Sequence, residues 1–405
     1  MNIRCIKCKG RDPSICGRTF CPIMAKISSQ KKVNMEAKQD FFGQSPNVFV
    51  GRFGYPHVNV GLLSVENYDE HDNPLLWSRE NYDIAKIIDL RSGLVNSNFK
   101  AQITGFKERF LEMSKEVGMA AKPVDVEVNL SKKPVFSLSF EQDVMPHGPN
   151  VRLKNARITE NPKIPEAVDK VTSDVDFKAG SALNYLYKKD FDEHYLTRLL
   201  SIGTLGVKKQ RKLVPTRWAI TAVDDTLAKQ MIKEVKDYNL YDYAVFFGGH
   251  LGNYYVAVFF PEVWSYELFE TYVGKSTWHD SEEIATMTDY EGYGGRKDYA
   301  SNTAGGYYAA RLGALEHLKK VKRQGSVLLL RFITGEYYAP LGVWVVRAAV
   351  RKTLANKPLV FDSRELMLKY VHAFVKKKFG INVDSLLNKS MLLNNVKTQK
   401  KLNEF

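Results

Sequence analysis

The chain has 405 residues, 44% of them hydrophobic, and a formal net charge of +14 from 59 Lys and Arg against 45 Asp and Glu. That length can bury a sizeable core, as one large domain or two to three smaller ones. No apolar run approaches the ~20 residues that span a bilayer, and Met1-Asn2-Ile3-Arg4 opens no signal peptide, so a cytoplasmic, nucleoid-associated protein without a membrane partner is expected.

The charge favours a polyanionic partner, because Lys and Arg that neutralise phosphates drive nucleic-acid binding. Part of the excess is local, with clusters at Arg4, Lys7, Lys9, Arg11 and Arg18, at Lys208, Lys209, Arg211 and Lys212, and at Lys376, Lys377 and Lys378.

In chain order, the first signal is Cys5-x2-Cys8-x7-Cys16-x4-Cys21, which holds all 4 cysteines of the chain. Four thiolates in so short a segment can surround one ion, and the metal then folds a piece too small to make a core. Gly10, Pro13 and Gly17 suit the sharp turns of such a knuckle. Zinc is the expected ion, with an iron–sulfur cluster as the alternative because Cys21-Pro22 resembles the end of a cluster-binding run.

Residues 26–40 are polar and read as a linker. Gln102 to Met119 reads as an amphipathic helix, and Val124, Val126 and Val128 alternate with Asp125 and Glu127 as a half-buried strand. Residues 141–166, with Pro146, Gly148, Pro149, Pro162 and Pro165, read as a long loop or domain seam. Two strands around 244–247 and 254–260 flank a glycine-bearing turn from Gly248 to Asn253. Gly306 to Arg323 is the clearest helix, with Tyr308, Leu312, Leu315, Leu318 and Val321 as its apolar stripe. A buried strand follows at 326–333, then helices near 341–355 and 363–378.

This mixture without regular βαβ alternation predicts an α+β fold: a mixed or antiparallel sheet body with packed helices, a small N-terminal metal knuckle and a flexible C-terminal tail. The expected divisions are a knuckle over 1–25, a linker over 26–40, a core over 41–380 with a seam near 141–166, and a tail over 381–405.

The chain ends Gln399-Lys400-Lys401-Leu402-Asn403-Glu404-Phe405. One tight turn projects Leu402 and Phe405 together as an apolar plug, and Gln399 supplies a polar contact beside it. This is the pattern of peptides that dock on sliding clamps of the PCNA type.

No catalytic signature is complete. Gly274-Lys275-Ser276-Thr277 imitates the end of a P-loop, but Phe269 stands where its first glycine belongs. Asp224 and Asp225 read either as paired carboxylates for Mg²⁺ or Mn²⁺ in phosphodiester hydrolysis, or as the cap of a helix beginning near Thr226. Arg52 in Gly51-Arg52-Phe53-Gly54-Tyr55-Pro56 and Arg296 in Gly294-Gly295-Arg296 sit in turns that suit either phosphate or loop packing, and Arg217 precedes Trp218. Arg331 and Glu336, beside Tyr337 and Tyr338, read as either a buried pair or a nucleotide pocket. Aromatics beside arginines also suit stacking on unpaired bases.

Longer strings carry a family resemblance. They are the cysteine segment, Phe42-Gly43-Gln44-Ser45-Pro46 running on to Pro56, Val214-Pro215-Thr216-Arg217-Trp218 to Asp225, Gly305-Gly306-Tyr307-Tyr308 to Arg311, and Pro340-Leu341-Gly342-Val343-Trp344 to Arg347. On these residues the chain resembles the archaeal Nre proteins, implicated in DNA repair. The resemblance implies a four-cysteine zinc finger at Cys5, Cys8, Cys16 and Cys21. It also implies a PCNA-interacting peptide at Gln399, Leu402 and Phe405, although the tail carries one aromatic where many such peptides carry two. It supplies no catalytic residues.

The expected function is a repair factor recruited to PCNA, with DNA on its basic surface and knuckle. A metal-dependent nuclease or nucleotide-processing enzyme using Asp224, Asp225 or Glu336 is the alternative, and an RNA- or ribosome-associated binding protein is the second. Oligomeric state is left open by the sequence.

Overall fold

The computed structural model describes residues 38–104, 108–135, 145, 147–274 and 285–398. The chain divides into two units, Met1–Leu227 and Ala228–Phe405. The predicted knuckle and terminal peptide both lie outside the described residues.

In the first unit, β1 (Asp40–Val50) and β2 (His57–Val65) form a hairpin, followed by α1 (Pro74–Arg79), α2 (Ile84–Gly93) and β3 (Val95–Gln102). Next come α3 (Arg109–Met119), β4 (Val124–Leu130) and β5 (Asn150–Ile158). Among the described residues the five strands close into a barrel in the order β1-β2-β3-β5-β4. Every pairing is antiparallel except β3 with β5. With α3 between β3 and β4, this is the Greek-key barrel connectivity of the OB-fold.

Alternation drives the closure. In β4, Val124, Val126, Val128 and Leu130 point inward. They meet Val48 and Val50 of β1, Val58, Val60 and Leu62 of β2, and Phe99 of β3, and α3 adds Leu111, Met113 and Val117 to the same core. The helix starts at Arg109, later than the pattern from Gln102 predicts, because Gln102 still pairs with His57 in the sheet. The proline-bearing stretch 141–166 also holds β5, whose buried Val151, Leu153 and Ala156 complete the barrel.

The helices α4 (Glu166–Ser173), α5 (Ala179–Tyr187) and α6 (Glu193–Ser201) follow, and α7 (Thr216–Val235) carries the chain across the division. The boundary therefore falls inside this helix and not in the seam expected near 141–166.

The second unit holds β6 (Asn239–Leu240), β7 (Tyr243–His250), β8 (Asn253–Phe260), β9 (Ser265–Tyr272) and β10 (Thr286–Glu291). Then come α8 (Ala304–Val321), β11 (Arg323–Gln324), β12 (Ser326–Ile333), α9 (Trp344–Leu354), β13 (Leu359–Phe361) and α10 (Arg364–Phe379). The last two helices are α11 (Asp384–Leu387) and α12 (Met391–Thr398). Among the described residues, six strands form a sheet in the order β10-β9-β12-β8-β7-β13, and β6 with β11 makes a two-stranded ribbon. The pair β9–β12 is parallel and the other pairs of the large sheet are antiparallel. The turn expected over Gly248 to Asn253 shrinks to Leu251-Gly252, both at positive φ, since Gly248 and Gly249 belong to β7.

Residues 381–398, expected within the flexible tail, are part of this core. Ile381, Val383, Leu386, Leu392 and Leu393 are buried with Val371 of α10 and Phe332 of β12. Buried Glu267 of β9 fixes the last helix by accepting hydrogen bonds from Ser390 Oγ (2.5 Å), Leu392 N (3.0 Å) and Met391 N (3.2 Å). The α+β class with mixed sheets and packed helices is as expected.

Candidate nucleic-acid interface

Two predicted arginines converge on the barrel. The loop from β1 to β2 is a tight turn in which His57 N donates to Gly54 O at 2.8 Å across the cis Tyr55–Pro56 peptide, a type VI turn. Gly54 has φ 83°, and a Cβ there would stand 2.7 Å from His57 O, so glycine is required. Arg52 and Phe53 stand on this loop with the guanidinium carbon 5.0 Å from the Phe53 ring centre.

The start of α7 comes to the same place. Val50 N donates to Thr216 Oγ1 at 2.9 Å, and Pro215 opens the helix by accepting from Trp218 N and Ala219 N. Trp218 then lies against Tyr55, with ring centres 5.4 Å apart and planes tilted by 51°. Phe53 (78% exposed), Trp218 (47%) and Tyr55 (41%) are all open to solvent. Arg217 is exposed beside them.

The backbone stitches three segments into one surface. Ile103 N donates to Pro56 O (3.0 Å), and Leu213 N donates to Ile103 O (2.9 Å). Residues 41–64, 94–104 and 207–218 contain no Asp or Glu. They carry Arg52, Lys100, Lys208, Lys209, Lys212 and Arg217, all exposed. Arg211 is used internally, donating to Gly206 O, Thr172 O and Asp174 O at 2.7 Å each. Lys100 was not singled out from sequence; it is a lone cation in a strand, and only the register opposite Asn59 brings it here.

The other candidates are placed differently. Arg331 is buried in β12, paired with Glu270 of β9 and bonded to Asn253 Oδ1, so its predicted partner Glu336 is replaced by Glu270. Glu336 is exposed and accepts from Tyr254 Oη at 2.8 Å. Arg296 pairs with Asp289 at 2.9 Å and donates to Tyr290 O, Asp298 O and Tyr299 O, which leaves it a structural role in its loop. Asp224 and Asp225 do not cap a helix, because α7 begins at Thr216 and they lie well inside it. Successive helix residues point about 100° apart, so the two carboxylates do not face one ion together. Asp224 is buried and Asp225 half-buried. Among the described residues no group of three or more His, Cys, Asp or Glu is arranged to hold a metal ion. No helix among them is long and apolar enough to cross a membrane.

Sequence reasoning missed one polar cluster. Buried Asp72 pairs with Arg91, accepts from Asn47 Nδ2 at 2.5 Å, and lies 3.1 Å from His194 Nε2. Burial works against its charge, but Arg91, His194 and the Asn47 amide outweigh burial and hold the carboxyl well below the usual carboxylate range. A register shift in β1 between Gln44 and Asn47 accompanies this arrangement, which a period-2 reading cannot anticipate.

Fold and surface together define a barrel protein with a basic, aromatic-bearing face. The chain belongs to the archaeal Nre family. Models described as "Archaeal Nre, N-terminal" and "Archaeal Nre, C-terminal" match residues 15–279 and 291–405. The chain is 38% identical over 395 residues to DNA repair protein NreB of Archaeoglobus fulgidus, covering 96% of each. It is 39% identical over 368 residues to DNA repair protein NreA of the same organism, covering 90% of this chain and 91% of the relative. With DNA repair protein NreA of Haloferax volcanii the identity is 38% over 321 residues, 76% of each. No solved structure matches the chain.

Proposed function

We propose that this protein acts in DNA repair, binding DNA on the face that carries Arg52 and Arg217 and reaching its site through a sliding clamp of the PCNA type. The observation that carries DNA binding is the convergence of two sequence-remote arginines with exposed rings on segments that contain no Asp or Glu. Cations concentrated without intervening carboxylates attract a polyanion and release its counterions. The repair context comes from the three relatives, each named a DNA repair protein.

Delivery rests on Gln399, Leu402 and Phe405. Helix α12, held to the core by buried Leu392 and Leu393, ends at Thr398, so the peptide follows directly from an anchored element. The cysteines Cys5, Cys8, Cys16 and Cys21 hold zinc in this reading and add a second basic contact to DNA.

Calorimetry with the clamp tests delivery: removing residues 399–405 abolishes binding, and unchanged binding refutes the recruitment. Emission spectroscopy of the purified protein tests the knuckle, with one zinc per chain expected; iron in its place, or no metal, rejects that part. Neither result bears on the DNA-binding face.

A further inference from the structure

We propose that the barrel reads unpaired DNA, with the strand lying across β2 and β3 and its bases stacked on Phe53 and on the Tyr55–Trp218 pair. This rests on the DNA-binding reading above and narrows the substrate to a single strand.

The register fixes what the face presents. Phe49, Gly61 and Asn98 form one row across β1, β2 and β3. In the next row, Gly51 N bonds Asn59 O, and Asn59 pairs with Lys100; beyond it His57 pairs with Gln102. Phe49, Asn59, Lys100, His57 and Gln102 are exposed. The face is therefore polar with an aromatic at one end and a cation in the middle, and it holds no carboxylate. Barrels of this connectivity bind oligonucleotides on the same strands and on the β1–β2 and β4–β5 loops. Here the first loop carries Arg52, Phe53 and Tyr55, and the second begins with exposed Lys132 and Lys133.

The rings decide between one strand and two. A duplex turns phosphates and base edges outward, and its base faces are already stacked. Phe53 at the loop tip is more than three-quarters exposed and has no use in the apolar core. Tyr55 and Trp218 support each other at 5.4 Å while both remain open. Such rings gain from the π-face of an unpaired base, whatever its identity, while Arg52, Lys100 and Arg217 follow the backbone.

The test is fluorescence anisotropy with the full-length chain at fixed salt. The probes are a single-stranded DNA of about 16 nucleotides, the upper site size of one such barrel, the matching duplex, and an RNA of the same sequence. The single strand is expected to bind at least about ten-fold tighter than the duplex, and Phe53→Ala and Trp218→Ala each to weaken it about five-fold or more without changing duplex affinity. Both side chains are exposed, and circular dichroism checks that the variants fold. Equal affinity for duplex and single strand, or single-strand binding indifferent to both variants, overturns the inference while leaving DNA binding intact. Absence of binding to every probe overturns both readings, and tighter binding to the RNA overturns the assignment to DNA.

Discussion

Tyr55 and Trp218 are remote in sequence, yet their ring centres lie 5.4 Å apart on the rim of the first unit's barrel. The contact exists because Thr216 Oγ1 accepts from Val50 N, seating the start of α7 on the end of β1. Through it, Arg52 and Arg217 share one surface.

A cation that meets phosphate weakens binding evenly across sequences when removed. Arg217→Ala is expected to lower affinity for DNA of any sequence and to reduce the slope of log affinity against log salt by about 0.7 to 1. Titrations between low and moderate salt measure this; an unchanged slope removes Arg217 from the interface.

Asp72 ties the stability of the first unit to acid. Its carboxyl is held below the ordinary value, so in the window between the folded and ordinary values the unfolded chain binds the proton that the native chain lacks. Stability is therefore present above that window and lost as pH falls through it. Asp72→Asn removes this dependence and leaves Arg91 unmatched, at a cost of about 3–5 kcal/mol at neutral pH. Denaturant unfolding across pH checks both parts.

Glu267 has the opposite sign. Burial raises its carboxyl above the ordinary value, although Ser390, Leu392, Met391 and Thr288 oppose that shift by donating to it. Between the ordinary and raised values the native chain keeps a proton that the unfolded chain has released, so stability falls as pH rises through that window. Glu267→Gln flattens this dependence. Glu267→Ala strands the donors at the start of α12 and costs about 1–3 kcal/mol, read by denaturation and by faster amide exchange over residues 391–398.

Gly306 opens α8 against the buried Glu270–Arg331 pair. An added Cβ would overlap Glu270 Oε1 and approach Arg331 Nη1 to 3.5 Å. Gly306→Ala is expected to cost about 1–3 kcal/mol through displacement of the pair. A thermal midpoint equal to that of the parent would show that the carboxylate moves aside freely.

Local pattern was readable both where one face of a strand is buried and where the whole strand is. The alternation of β4 and the continuous apolar run of β12 gave their strands directly. Barrel closure was not readable, because it depends on β1 pairing with distant β4, as Phe41 does with Val128. β5 hid among prolines, and α12 hid in an Asn- and Lys-rich stretch whose burial depends on a carboxylate in another strand. Arg331 stood out as a charge in an apolar strand, but its partner came from the parallel neighbour β9 and not from nearby Glu336. Arg52 and Arg217 each stood out for a glycine-bearing turn or a flanking tryptophan, and only the Val50–Thr216 bond joins them.

Photo-crosslinking tests the central claim most directly. A single-stranded DNA carrying photoreactive bases, irradiated with the full-length protein and digested, is predicted to label peptides containing Phe53, Tyr55 and Trp218, with labelling suppressed by unlabelled single strand and not by duplex. Labelling that avoids the β1–β2 loop and the start of α7, while falling on the second unit, would contradict the assignment of DNA to this barrel.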